Sequence, residues 1–239
     1  VILFNTWEPG SAQAVASLGA QAIALGSHGV ANAHGYEDGE QIPLSLVRDN
    51  AKRVVDSVDL PVTLDFETGY GSTPDEIKAS IKTVLETGII GVNIEDQVFG
   101  DETKLKPIDE QIARLRAVRE AADEFGVELF INSRSDLFKN TPPEQHDDAL
   151  LDQALERAQA YADAGADGFF LPGIMDLELI KKLCEQSPLP VNIIALPGAP
   201  ANSELAHAGV SRISYGPVPY LNMIEWLKGE AHKSLNSLE

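Results

Sequence analysis

The sequence predicts an α/β protein of the (β/α)₈, TIM-barrel class, folded as a single domain over residues 1–239. Short runs rich in Val and Ile alternate with amphipathic stretches eight times along the chain. That is the pattern of parallel strands buried on both faces and covered by helices. The length of 239 residues is close to the ~250 typical of such a barrel, and no linker or low-complexity stretch interrupts it. The rival, an open doubly wound sheet, usually carries a glycine-rich phosphate turn after its first strand. Phe4-Asn5-Thr6-Trp7-Glu8 is not such a turn.

The strands are expected at residues 2–5, 22–27, 62–67, 91–96, 128–134, 168–172, 191–196 and 212–215, each bounded by Gly, Pro or polar residues. Helical patterns lie between them. Residues 108–125 carry Ile112, Leu115 and Val118 on one stripe, Pro74 opens a helix reaching about residue 86, and 149–164 form another. Gly19, Gly88, Gly126, Gly165 and Gly209 precede strands where helices should stop. Residues 220–238 read as one helix, with Ile224, Trp226 and Leu227 available to serve as the eighth.

Composition narrows the function. Eighteen Lys and Arg stand against 37 Asp and Glu, a formal charge of −19. Such a balance opposes nucleic-acid binding, which draws its affinity from basic residues at phosphates. No apolar run of ~18 residues is present, so no membrane span is expected. A single cysteine, Cys184, allows no internal disulfide and fits a reducing compartment. With no secretory signal pattern at its start, the chain is expected in the cytoplasm.

In a barrel the chemistry sits at the C-terminal ends of the strands. Those ends hold Asn5, Ser27, Asp65 with Glu67, Glu95 with Asp96, Arg134, Asn192 and Tyr215. Asp65 and Glu67 are two residues apart and share a strand face, and Glu95 comes from the next strand. Carboxylates so close repel one another unless a cation intervenes. Mg²⁺, an oxygen-seeking ion, suits the place, with Mn²⁺ as a substitute; ion pairs at the rim are the plainer reading. Arg134 reads either as a two-donor fork for a substrate carboxylate or as an ion-pair partner of Glu95 or Asp65. Ser27-His28-Gly29 opens what reads as a long loop reaching Pro43, the kind of loop that is often functional. Its backbone N–H groups are suited to an oxyanion. His28 and His34 receive no metal or base role from the residues alone, and Asp38 alone reads as a turn carboxylate. No strand carries a lysine for Schiff-base chemistry, and no nucleophile elbow or phosphate loop appears.

At these residues the chain resembles the isocitrate lyase/phosphoenolpyruvate mutase superfamily, in its short form without the large insertions. The resemblance runs through Asn5-Thr6-Trp7-Glu8, Ser27-His28-Gly29-Val30-Ala31, Gly35-Tyr36-Glu37-Asp38-Gly39 and Asp65-Phe66-Glu67-Thr68-Gly69-Tyr70-Gly71. It continues through Asn93-Ile94-Glu95-Asp96-Gln97, Ile131-Asn132-Ser133-Arg134-Ser135-Asp136, Gly165-Ala166-Asp167-Gly168 and Asn192. The resemblance implies Asp65 as the direct Mg²⁺ ligand, with Asp38, Glu67 and Glu95 holding metal-bound waters. It implies Arg134 as the grip on the substrate carboxylate and Ser27, His28 and Gly29 as an oxygen-binding pocket, with Asn192 joining the substrate-binding set. The shared chemistry is an enolate of a small 2-oxo acid, which a divalent ion stabilises as a Lewis acid.

Departures limit the reading: His28 stands where relatives usually carry a small residue, Glu8 where they usually carry Asp, and the mutase's loop lysine and asparagine are not clearly matched. Superfamily members that cleave isocitrate carry a Lys-Arg-Cys-Gly-His loop after the fourth strand. Here residues 98–106 read Val-Phe-Gly-Asp-Glu-Thr-Lys-Leu-Lys, without a cysteine, which argues against isocitrate cleavage. The loop 97–107 is expected to be a lid, with Lys104 as the cation that enters on closure or, equally, points outward. The leading expectation is a Mg²⁺-dependent carbon–carbon lyase with Asp38, Arg134 and Lys104 as catalytic residues. The alternatives are carbon–phosphorus chemistry and a non-catalytic barrel that binds 2-oxo acids. The expected partners are a small carboxylate substrate and further copies of the chain, as a dimer or tetramer.

Overall fold

The computed structural model describes residues 1–101 and 104–236. Its strands are β1 (Ile2–Leu3), β2 (Asn5–Thr6), β3 (Ile23–Leu25), β4 (Val62–Asp65), β5 (Gly91–Glu95), β6 (Phe130–Arg134), β7 (Gly168–Phe170), β8 (Val191–Ile194) and β9 (Arg212–Ser214). The helices are α1 (Pro9–Ala16), α2 (Ser27–Ala33), α3 (Leu44–Val55), α4 (Pro74–Leu85), α5 (Ile108–Phe125), α6 (Asp148–Asp163), α7 (Leu177–Gln186), α8 (Asn202–His207) and α9 (Val218–Leu235).

All strand pairs are parallel, in the order β1-β9-β8-β7-β6-β5-β4-β3-β2. β1 and β2 are two pieces of one barrel strand, separated by Phe4. Ile2 and Leu3 pair with β9, whereas Asn5 and Thr6 pair with β3, and this division of one strand between two neighbours closes the barrel. The TIM-barrel expectation is met. The strands are mostly shorter than the sequence suggested: Ser27, Glu67 and Asp96 follow the ends of β3, β4 and β5, β7 and β8 stop two residues early, and β6 starts two residues late.

Strand alternation sorts the residues into layers. Val62, Leu64, Val92, Ile94, Ile131 and Ile213 are buried in the apolar core, while Asp65, Asn93, Arg134, Phe170, Ile194, Arg212 and Ser214 line a central cavity. The barrel interior is partly polar. Asn132 Nδ2 donates to Asn93 Oδ1 at 2.9 Å and to Asn192 Oδ1 at 3.1 Å, and Asn192 Nδ2 donates to Ser214 Oγ at 3.2 Å. This network needs Gly168, where an added Cβ would lie 2.7 Å from Asn132 Oδ1.

Helix α5 spans the expected residues and stops at Gly126, which takes the left-handed conformation (φ 78°). Two expectations are corrected. The stretch after β3 is not an open loop: Ser27 begins α2, a seven-residue helix too short to show a clear apolar stripe in the sequence. The C-terminal helix does not cover the barrel as its eighth helix. In α9 only Pro219 is buried, and Leu221, Trp226, Leu227 and Leu235 stay exposed. Its N-terminal half alone packs, with Tyr220, Met223 and Ile224 half-buried and the Tyr220 ring edge-on to Trp7 at 5.2 Å. No helix of the described residues is long and apolar enough to cross a membrane.

Candidate active site

The cavity at the C-terminal ends of the strands encloses about 640 Å³ and continues into an acidic compartment lined by Asp38, Glu67, Glu95, Phe99 and Lys139. Asp65 ends β4 and lines the central cavity. Its Oδ2 accepts a 3.3 Å hydrogen bond from Ser27 Oγ, while its Oδ1 is buried without a hydrogen-bond partner. Burial raises its pKa, opposed by attraction to Arg134.

Glu67 follows on a tight turn, with φ at 51°. It accepts 2.8 Å bonds from the backbone N–H groups of Gly39 and Glu40 and from the Tyr70 hydroxyl. Glu40 reciprocates, accepting from Thr68 N, Thr68 Oγ1 and Tyr70 N at 2.8–2.9 Å. These two carboxylates clasp the loop that carries Asp38 to the loop after β4. Burial, with repulsion from Asp65 and Asp38, pushes the Glu67 pKa up to about 7.

Glu95 ends β5 beside Arg134, their Cα atoms in register. Arg134 NH1 lies 2.6 Å from Glu95 Oε2, its Nε donates to Asp136 Oδ1 at 2.6 Å, and its NH2 donates to Asp136 Oδ2 at 2.9 Å. The fork is therefore spent on the protein's own carboxylates, and the ion-pair reading of Arg134 describes this structure. Burial raises the Glu95 pKa and Arg134 opposes it; Arg134 itself is held charged by Glu95 and Asp136 against the cost of burial. Lys139 Nζ donates to Asp136 Oδ2 at 2.7 Å and Gln97 Oε1 at 3.1 Å at the mouth. Asp96, grouped with Glu95 in the sequence, alternates to the other face. There it accepts from Tyr161 at 2.8 Å and Arg157 at 3.1 Å, a structural tie between the sheet and α6.

Other expected residues fall as follows. Ser27, His28 and Asp38 line the cavity, with His28 Nδ1 3.9 Å from Asp38 Oδ2. Gly29 does not line it; it gives close access to Trp7, whose Cβ would lie 3.0 Å from an added Cβ. Asn192 is also displaced from the substrate-binding set. It is the second residue of β8, fully committed to the interior network below the mouth. In the loop 97–107, Gln97 and Leu105 form an antiparallel bridge. Lys104 pairs with Asp101 at 2.6 Å and is 71% exposed, so it points outward here, and Glu102 and Thr103 lie outside the described residues. The sequence reading gave no site role to Asp136 or Arg212, and considered Lys139 only as a cation for a phosphoryl group. Asp136 stands in the Asn-Ser-Arg-Ser-Asp motif and was readable as a partner for Arg134; Arg212 gave no local signal.

Arg212 begins β9 and crosses the barrel interior, its NH2 donating to Asn93 Oδ1 at 3.3 Å. Burial lowers its pKa to about 10, opposed by attraction to Asp65.

The sequence profile of the phosphoenolpyruvate phosphomutase family matches residues 1–235. The chain belongs to the isocitrate lyase/phosphoenolpyruvate mutase superfamily. Among its superfamily relatives, an uncharacterized protein of Mycobacterium tuberculosis (strain H37Rv) is 33% identical over 92% of this chain and 78% of its own length. The 2-methylisocitrate lyase of Escherichia coli (strain K12) is 30% identical over 82% of this chain and 67% of its own. A solved structure of a candidate phosphonomutase from Burkholderia cenocepacia J2315 superposes with a TM-score of 0.94 at 45% identity, covering 98% of this chain and 92% of that one. The superfamily assignment thus rests on relatives with both carbon–carbon and carbon–phosphorus activities in their names.

The residues present fit a single divalent ion. Among the described residues no three His, Cys, Asp or Glu side chains converge to grip an ion directly. One direct carboxylate with others at a water's distance is the arrangement Mg²⁺ favours, since it retains several waters. Asp65 offers the buried Oδ1 that lacks a partner, and burial raises the pKa values of Asp65, Glu67 and Glu95, a penalty on the charged carboxylates that a bound cation would offset.

Proposed function

We propose that the protein is a Mg²⁺-dependent lyase that forms or breaks a carbon–carbon bond beside the enolate of a small 2-oxo acid. The observation that carries this reading is the buried, partnerless Oδ1 of Asp65 at a strand end, flanked by Asp38, Glu67 and Glu95. A divalent ion bound there supplies Lewis-acid charge that stabilises a developing enolate oxygen. Asp65 holds it and Ser27 fixes the Asp65 carboxylate. The Glu67–Glu40 clasp keeps Asp38 at the junction of the two compartments, where it can hold or move a proton at the substrate carbon. Arg134, immobilised by Glu95 and Asp136, gives a fixed positive wall. Phe99, at the root of the 97–107 loop, narrows the mouth and limits water access to a reactive carbanion.

Carbon–phosphorus chemistry is the second reading, favoured by the 45% identity to the candidate phosphonomutase. Oxaloacetate, phosphonopyruvate and a series of alkylmalates, assayed with Mg²⁺ for pyruvate release and, for phosphonopyruvate, also for phosphoenolpyruvate formation, decide between them. Release from an alkylmalate or oxaloacetate supports the lyase; pyruvate or phosphoenolpyruvate from phosphonopyruvate alone supports the second reading. No turnover of any, with oxalate still bound, would make the barrel a binding protein. The exposed apolar residues of α9 further support assembly as a homo-oligomer, which a monomeric mass at micromolar concentration would refute.

A further inference from the structure

The central cavity is larger than a site at Asp65 alone needs. It encloses about 640 Å³, within the range of about 300–1,000 Å³ that suits a drug-sized ligand. A three-carbon acid held at Asp65 would leave most of that space to water. The part away from Asp65 is walled by the segments that follow β6, β7 and β8, with Phe138, Thr141, His146, Phe170, Met175 and Ile194 on its surface. These segments are fitted to one another. An added Cβ at Gly173, where φ is 94°, would lie 2.5 Å from Lys139 N, so glycine is what lets the segment after β7 close on the segment after β6. The Phe138 and His146 rings meet at 4.7 Å.

The polar side chains of this wall turn their hydrogen bonds into the fold. Thr141 Oγ1 donates to Leu137 O at 2.8 Å, and Asp176 Oδ1 accepts from Leu179 N at 2.9 Å as the cap of α7. His146 Nε2 lies 3.0 Å from both Phe138 O and Thr141 O. Carbonyl oxygens only accept, so Nε2 carries the hydrogen, and Nδ1 of the neutral ring is then an acceptor. Lys139, the cation on these segments, is held by Asp136 and Gln97. An anionic group seated here would meet the Asp176 carboxylate and no uncommitted cation. A hydrocarbon would instead displace water that the wall bonds poorly, which gains affinity.

We propose that this wall is a subsite for a hydrocarbon chain of several carbons, so that the substrate is a 2-oxo or 2-hydroxy acid whose far end is apolar. The assignment rests on the reading of Asp65 as the metal-side anchor of the acid group. The chain then runs across the barrel mouth, past Phe170 and Ile194, to Met175 at the rim.

The test is calorimetry with Mg²⁺ on oxalate and on three acids of one head group and growing chain: 2-oxobutyrate, 2-oxohexanoate and 2-oxooctanoate. Affinity in wild-type protein should rise about fourfold per buried methylene, and at least about thirtyfold from the shortest acid to the longest. Met175 is 38% exposed, so a charge placed there is tolerated by the fold. Met175→Glu should flatten the rise, while oxalate, too short to reach the wall, keeps its affinity within about threefold. Met175→Leu, which keeps the wall apolar, should restore the rise. Equal affinities along the series in wild-type protein would overturn the proposal, as would a rise that survives in Met175→Glu. An equal loss of oxalate and all three acids in that variant would make Met175 a structural residue and also overturn it. Failure of oxalate to bind with Mg²⁺ would count instead against the Asp65 reading. The same series without metal then judges the wall by itself, and a flat series there overturns it.

Discussion

The two sides of the cavity are built on opposite terms. On the β4–β6 side, Asp65, Glu67, Glu95, Arg134, Asp136 and Lys139 are laced to one another, to Ser27 and Tyr70 and to the loop 35–42. On the β7–β9 side, Phe170, Pro172, Met175, Ile194, Leu196 and Pro217 form an apolar wall. Charges that hold one another are tied to stability as well as to chemistry. An apolar wall without such ties owes less to the fold and can be tuned to a ligand. Substitutions on the first side should therefore cost stability, and those on the second should change ligand choice.

The largest expected effect that can break this comparison is Arg134→Met. It leaves Glu95 buried without its partner and Asp136 with Lys139 alone, and removal of one member of a buried pair costs about 3–5 kcal/mol. Urea unfolding should show that loss; stability within 1 kcal/mol of wild type would mean that the lacing does not support the fold.

A second effect is the pH dependence of the metal-free protein. The Glu67 pKa is raised from an ordinary 4.5 to about 7, so between those values the native state binds more protons than the unfolded chain. The Glu67 contribution to stability must then fall as pH rises through that window and level off above it, while Glu95, raised to about 8, adds a decline that continues past pH 7. The melting temperature should drop by a few degrees from pH 5 to 7.5, and Glu67→Gln should flatten that slope. Because metal ligands must be deprotonated, Mg²⁺ should raise the melting temperature more at pH 7.5 than at pH 5. An identical slope in Glu67→Gln would show that Glu67 is not the titrating group.

The smallest effect is expected at Lys104, which points outward against Asp101. Lys104→Ala should turn over an identified substrate within about twofold of wild type. A large loss would show that the loop 97–107 closes and brings this lysine in.

The laced side was far more legible in the sequence than the other. Asp65, Glu67 and Glu95 stand at ends of apolar runs, where strand alternation and barrel geometry say which way they face. The same alternation explains the error at Asp96, which directly follows an inward Glu95 and so points out to Arg157 and Tyr161. Asn192 faces inward too, but its depth depends on strand stagger, which a single strand does not reveal. Arg212 lies at the start of β9, away from the catalytic end, and only a long side chain crossing to Asn93 brings it to the cavity. Helix α2 was hidden by its brevity, and the departure of α9 from the barrel by apolar residues that suit a helix wherever it packs.

The central claim, a divalent ion held at Asp65 to stabilise an enolate, is tested most directly by Mn²⁺ titration of wild-type and Asp65→Asn protein with and without oxalate, an enolate mimic. Wild-type protein should bind one Mn²⁺ per chain, more tightly when oxalate is present, and Asp65→Asn should lose most of that affinity and the oxalate effect with it. Equal Mn²⁺ affinity in the two proteins, or no stoichiometric site in either, would contradict the account.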